Sequence, residues 1–486
     1  MPPSKGKYVT VPTLALMTVA SVLSLRGLPL MAAEGLSMIF YILFATIVFL
    51  LPASMVSAEL GGAFAKGQGG VYTWVKEAYG PRWGFTAIWL QWIQNVVWYP
   101  TVLGFAAASL AYLFANPALA QSGPYTGTVI IIVYVCATFV ALSGSTAVNA
   151  VTKYGVVIGT LIPAALVILL GLLWVDQGNP IALLSQSTVA HEHAHVRLFP
   201  HITGLGSIAF LAGIVLLFAG VEVQAVQASE MENPTREFPV AMLIASLLIV
   251  LVFLLGSLAV AAVIPSHEIS LTAGLMQAFT VMLDKFGIGF LTPVLGLCMA
   301  FGAIGSVMSW VTGPSRGLLQ TAREGEMPPA LAKVNKAGAP VALLIIQCAV
   351  VVALALLYFV MRDVSVAFFI LSAMTATLYL AMYMFMFAAA IRLRITRPDL
   401  PRSYKVPGGL PGMICIAGLG FLGVAFAFVV GFFPPSSLPV GNPALYVGLV
   451  AAGLILFTGM PLFIQFFKKP SWKRVDATPT SQPHGD

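Results

Sequence analysis

The chain has 486 residues, 59% hydrophobic and only 8% charged, with a mean hydropathy of +0.95 and a net charge of +7. A soluble globular protein carries about a quarter charged residues, so a chain this long and this poor in charge cannot cover a water-facing surface. Soluble enzymes, secreted disulfide scaffolds and disordered chains are excluded. The positive balance is not a nucleic-acid signal, because membrane proteins gather Lys and Arg on one side.

A spanning helix needs about 20 apolar residues. Apolar runs set off by polar punctuation predict twelve spans, at 11–33, 36–58, 83–115, 125–145, 154–176, 204–228, 238–264, 287–313, 340–360, 364–391, 411–433 and 443–467. Lipid satisfies no backbone group, so these must be helices. The first run follows Lys5 and Lys7, as a signal peptide would. It continues past Pro29 into a second apolar segment without a small-residue cleavage site, which favours a span. It is interrupted around Ser21, Ser24, Arg26 and Gly27. Arg26 lies mid-span, where a charge costs at least ~2.5–3.5 kcal/mol. It should face the interior and be paired, either with Glu222 or with a substrate.

Residues 59–82 and 314–340 read as long loops. In the third span Gln91, Gln94 and Asn95 recur on neighbouring turns with Trp92, Trp98 and Tyr99. The segment His191–His195, with His201, reads as a solvated external loop, and no metal site is expected there. The sixth span is interrupted at Gly220 and Glu222. Glu222 reads as the only acid deep in any helix and as a candidate proton carrier. Tyr379 and Tyr383 in the tenth span are four apart and share a helix face. Cys136, Cys298, Cys348 and Cys415 lie in apolar runs and read as small buried hydrophobes.

With both termini in the cytoplasm, every Lys and Arg except Arg26, Arg197, Lys285 and Arg362 falls inside, as the positive-inside rule requires. The two interrupted spans point to two halves with a transporter site at the bilayer midplane. Repeat one would cover 11–176 and repeat two 204–391, with peripheral helices over 411–467 and a short cytoplasmic tail at 468–486. No Gly-rich phosphate loop or catalytic constellation is present, so neither ATP drive, enzymatic activity nor a cofactor is expected.

Two stretches carry a family resemblance. One is Phe218-Ala-Gly-Val-Glu222 followed by Glu232-Asn-Pro-Thr-Arg-Glu-Phe-Pro-Val-Ala241. The other is Gly313-Pro-Ser-Arg316 through Ala322-Arg-Glu-Gly-Glu-Met-Pro328. Both resemble the amino acid–polyamine–organocation superfamily of permeases, and within it most closely the bacterial glutamate:GABA antiporters. The resemblance covers nearly the whole chain. It implies an all-α LeuT-type fold with a 5+5 inverted repeat, alternating access, and exchange of an amino acid for another or for its decarboxylated amine. By position it implies a substrate site at Ser21, Ser24, Arg26, Gly27, Gln94, Gly220, Glu222, Ser306, Trp310, Tyr379 and Tyr383.

The chain departs from those relatives in three places. Leu25-Arg26-Gly27 stands where Gly-Ser-Gly is usual, Ser306 stands where the antiporters carry an acid, and the tail is short. A pocket that loses a negative group and gains a positive one favours a neutral or acidic amino acid over a cationic amine. The expectation is an amino-acid antiporter of a bacterial inner membrane, with the bilayer, an amino acid or amine and protons as partners, a homodimer as the oligomer, and no nucleic acid. A proton-coupled symporter and a transporter-like sensor are the competing readings.

Overall fold

The computed structural model describes residues 9–64, 70–184, 197–224, 231–361, 363–435 and 442–472. In chain order the helices that matter are α1 (Val11–Val22), α2 (Gly27–Ala32), α3 (Ser37–Ala63), α4 (Val71–Tyr79), α5 (Pro81–Leu113), α6 (Gly123–Ser143), α7 (Thr146–Asp176), α8 (Phe210–Leu217), α9 (Val221–Gln224), α10 (Pro234–Val263), α11 (Gly274–Lys285), α12 (Thr292–Arg323), α13 (Val341–Val360), α14 (Val364–Thr396), α15 (Gly409–Val430) and α16 (Pro443–Phe466). Eleven stretches among the described residues are long and apolar enough to cross a membrane. One of them is α8 and α9 taken together, and α1 with α2 makes the twelfth span.

The helix starts follow from local chemistry. Proline stands in the first turn of α1, α5, α6, α10, α12 and α16, where its missing N–H costs nothing. Asp363 caps α14 by accepting from the Ser365 N–H at 2.7 Å, and Asn442 caps α16 by accepting from Ala444. Gly80, at φ 94°, makes the sharp turn between α4 and α5, a backbone region that costs glycine little.

α5 and α14 form the centre. They are the most enclosed of the long helices, and α5 lies between α12 and α14. α16 is the least enclosed. Close approach of α7 to α12 depends on glycine: a Cβ at Gly159 would lie 2.2 Å from the Cys298 carbonyl, and one at Gly302 would lie 2.4 Å from that of Gly159. Small residues let membrane helices approach at backbone distance.

Three expectations are corrected. The loop expected over 59–82 contains the end of α3 and all of α4, whose apolar face is buried. The eighth span does not end at 313: α12 runs through Pro314 to Arg323 because this stretch packs inward, with Ser315, Leu318 and Thr321 buried and Gly317 set against Ile88 of α5. The cysteines are not core residues. Cys136 and Cys415 are exposed, and Cys298 and Cys348 are half-buried; all four sit on spanning helices, so the exposed pair faces lipid. An exposed apolar side chain carries no penalty there.

Candidate functional site

The two interrupted spans meet at their breaks. α1 ends at Val22, and Leu23–Arg26 are not helical before α2 begins. α8 ends at Leu217, and Gly220 adopts φ 118° before α9 begins. The junction is tight at both glycines: a Cβ on Gly27 would lie 2.5 Å from Leu217 Cδ1, and one on Gly220, whose positive φ already favours glycine, would lie 3.1 Å from the Trp310 ring and 3.3 Å from the Ser21 carbonyl. A hydrogen bond from Gln224 Nε2 to Ser21 Oγ, 2.7 Å long, ties the segments together.

Beside the breaks lies a cavity of about 40 Å³. Ser21, Ser24, Arg26, Gln94, Ser306, Trp310 and Tyr379 line it. Sequence reasoning had singled out all seven. Gly27, Gly220, Glu222 and Tyr383 are not on its wall. The first two hold the segments together, and the last two lie behind Tyr379. Asn95 and Trp98 complete the polar and aromatic lining; the recurrence of α5 amides one turn apart was the available signal for Asn95. No acidic residue lines the cavity.

Arg26 is 4% exposed, and its Nε has no hydrogen-bond partner. The guanidinium carbon lies 5.6 Å from the centre of the Trp98 ring and 5.8 Å from that of Phe368. Such contacts contribute about 2 kcal/mol when desolvated. Of the two partners considered for Arg26, Glu222 is not one: no carboxylate among the described residues is within 4.0 Å of Arg26. Glu222 is occupied elsewhere. Tyr379 and Tyr383 donate their hydroxyls to its two oxygens, and Gln91 Nε2 donates to Oε1 at 3.0 Å. The Tyr383 hydroxyl also accepts the Gly220 N–H at 3.0 Å, so α14 bolts the α8–α9 break in place. Tyr379 touches both the cavity and Glu222.

Glu222 is not the only acid deep in a helix. Glu59, 1% exposed near the end of α3, takes Arg394 at 2.5 and 2.6 Å, Arg402 Nε at 2.9 Å and the Val406 N–H at 2.7 Å. The expected span ended at 58 and left Glu59 in a loop, whereas the helix continues through it. On the same face, Glu324 accepts from Lys76 at 2.6 Å and from the Tyr72 hydroxyl at 2.5 Å. Burial pushes the Glu324 carboxyl up, but the hydrogen bonds from Lys76, Tyr72 and Gln320 outweigh it and hold the group below the usual carboxylate range. His191, His193 and His195 lie outside the described residues; His201 is exposed.

Comparison with known proteins agrees with this geometry. A family model described as amino acid permease matches residues 9–457. The chain is 38% identical over 456 residues to an uncharacterized transporter of Legionella pneumophila, covering 94% of this chain and 96% of that one. It is 31% identical over 452 residues to a glutamate/gamma-aminobutyrate antiporter of Lactococcus lactis, covering 92% and 88%. It is 26% identical over 412 residues to a probable agmatine/putrescine antiporter of the same species, covering 82% and 84%.

Proposed function

The chain belongs to the amino acid permease family, and from that premise we propose that it is an antiporter exchanging carboxylate-bearing amino acids by alternating access about the two broken spans. The observation that carries this reading is Arg26: a buried guanidinium with an unpartnered Nε, on a cavity wall that holds no acid. A guanidinium in that state suits a carboxylate, which it grips through parallel hydrogen bonds. A decarboxylated diamine would bring positive charge and nothing for Arg26 to hold. Among the relatives, this reading favours the glutamate/gamma-aminobutyrate exchangers over the agmatine/putrescine ones, since both former substrates keep a carboxylate.

Ser21, Ser24, Gln94 and Ser306 supply the remaining hydrogen bonds to the substrate, and Trp98, Trp310 and Tyr379 its walls. A water needs roughly 10–15 Å³ of such space, so a 40 Å³ cavity holds a few waters and no amino acid. Loading therefore requires the α1–α2 and α8–α9 segments to move away from α5 and α12. Glu222, reached from the cavity through Tyr379, is the coupling group: loss of its contacts to Tyr379 and Tyr383 would free the Gly220 break.

The reading is tested by a thermal-shift screen of the purified protein against acidic and neutral amino acids and their amines, followed by exchange in proteoliposomes. A ligand at about 100 times its Kd stabilises by ~2.7 kcal/mol. A best ligand without a carboxylate, or uptake that needs no internal counter-substrate, would overturn it. The distribution of Lys and Arg supports an inner-membrane orientation with both termini in the cytoplasm. A cysteine at Lys469 should then resist an impermeant thiol reagent in intact cells and one at His201 should react.

A further inference from the structure

Away from the transport path, at one edge of the bundle, a cleft of about 520 Å³ opens where α5 begins and α16 ends. Both are spanning helices, so the cleft lies at the boundary between hydrocarbon and water. Arg82, Lys468, Glu326, Gln465 and Phe466 line it with Pro81 and Leu462. Lys468 is paired with Glu326 at 2.7 Å. Arg82 is exposed, and among the described residues its side chain makes no ion pair or hydrogen bond. One positive charge is left over.

A second observation is independent of the charge. Gln465 Nε2 donates to the Arg82 carbonyl at 3.1 Å, which fixes which end of the amide is the donor. Its Oε1 is screened from solvent and has no donor. An orphaned buried acceptor is costly, and a small turn of the partly exposed Gln465 side chain that brought Oε1 to a hydroxyl or amine in the cleft would recover that cost. The wall is also aromatic and apolar: Phe466 is 83% exposed and Leu462 38%. Aromatic side chains at the ends of spanning helices anchor at the headgroup level.

We propose that this cleft binds the headgroup of an anionic phospholipid, with Arg82 on the phosphodiester, a headgroup hydroxyl on Gln465 Oε1, and the acyl chains against Leu462 and Phe466. Basic clefts between helix ends at a membrane surface bind such headgroups. A phosphatidylglycerol-type headgroup supplies both missing groups. Phosphatidylcholine has neither a net negative charge nor a donor. The assignment is independent of what the transporter carries.

The test is native mass spectrometry of the delipidated, detergent-solubilised protein titrated with dioleoylphosphatidylglycerol or dioleoylphosphatidylcholine. The parent should prefer the glycerol lipid. Arg82→Gln should weaken it about fivefold, the value of one cation at a membrane surface, while leaving phosphatidylcholine binding unchanged; Arg82→Lys should keep most of the preference. The Arg82 side chain touches no other residue through a polar bond, so the unfolding midpoint of either variant should match the parent and separate loss of site from loss of fold. Equal binding of both lipids by the parent overturns the proposal, and so does an unchanged preference in Arg82→Gln. Displacement of the lipid by soluble glycerol phosphate at equal concentration would show a site for a free anion and overturn the lipid assignment.

Discussion

Arg26, at the break of the first span, and Arg394, in α14, are both guanidinium groups of spanning segments, yet they sit in opposite electrostatic surroundings. Arg394 shares the Glu59 carboxylate with Arg402 and has its hydrogen bonds met. Arg26 has two aromatic faces, an empty Nε and no carboxylate. A buried charge with its counter-charge supplied by the chain is part of the fold. A buried charge without one is a standing cost, and that cost is recovered when a ligand brings the missing group. The contrast separates the structural cluster at the end of α3 from the binding cavity between the breaks.

The sharpest way to break the contrast is at Glu59. Removing one partner of a buried ion pair costs ~3–5 kcal/mol, so Glu59→Gln should lose most of its monodisperse yield and unfold well below the parent. Replacing Arg394 with Gln in that background should recover part of the loss. Unfolding of Glu59→Gln at the parent's midpoint would show that the cluster does not hold the fold. At Arg26 the expected pattern reverses. Arg26→Lys should keep the unfolding midpoint but bind substrate ~1.5–3 kcal/mol more weakly, the range for hydrogen bonds to charged groups. Binding equal to the parent's, measured by calorimetry, would remove the carboxylate clamp.

Glu222 lies between these cases, held by three neutral donors and no cation. Glu222→Gln keeps the shape and removes the charge change. The variant should still bind substrate, and exchange in proteoliposomes should lose its pH dependence. An unaltered profile would leave Glu222 as a brace for the break and nothing more. The smallest effect is expected at the partly exposed Lys76–Glu324 pair, 30% and 32% exposed. Because the folded Glu324 group titrates below its unfolded value, its contribution is present above the unfolded pKa of about 4.3 and is lost as pH falls through the lower folded value. Lys76→Met should cost less than ~1 kcal/mol at neutral pH, typical of exposed pairs, and should flatten stability over that acid range.

Much of the fold was legible in the chain itself. Hydropathy placed all twelve spans, and the polar interruptions at Ser24–Gly27 and Gly220–Glu222 marked both breaks. Of the seven cavity residues, Ser21, Ser24, Arg26, Gln94 and Tyr379 were legible as polar groups inside apolar runs, whereas Ser306 and Trp310 came only from the family resemblance. The errors in helix boundaries have one source. The reading treated the stretch from Pro314, Glu59 and the run from Val71 as loop, whereas burial against α5, Arg394 and the rest of the bundle supplied partners that a linear pattern does not contain.

Composition and periodicity determined that this chain lives in lipid, crosses it twelve times and breaks two of its helices, because bilayer thickness and the absence of water act on each segment separately. Only the tertiary structure decided which charges meet. Arg26 and Glu222, a pairing the sequence left open beside a substrate contact, stay apart, since Tyr379, Tyr383 and Gln91 reach the carboxylate first. Pairing depends on distances between segments more than a hundred residues apart, and those are set by the packing of α5, α12 and α14, not by any local run of sequence.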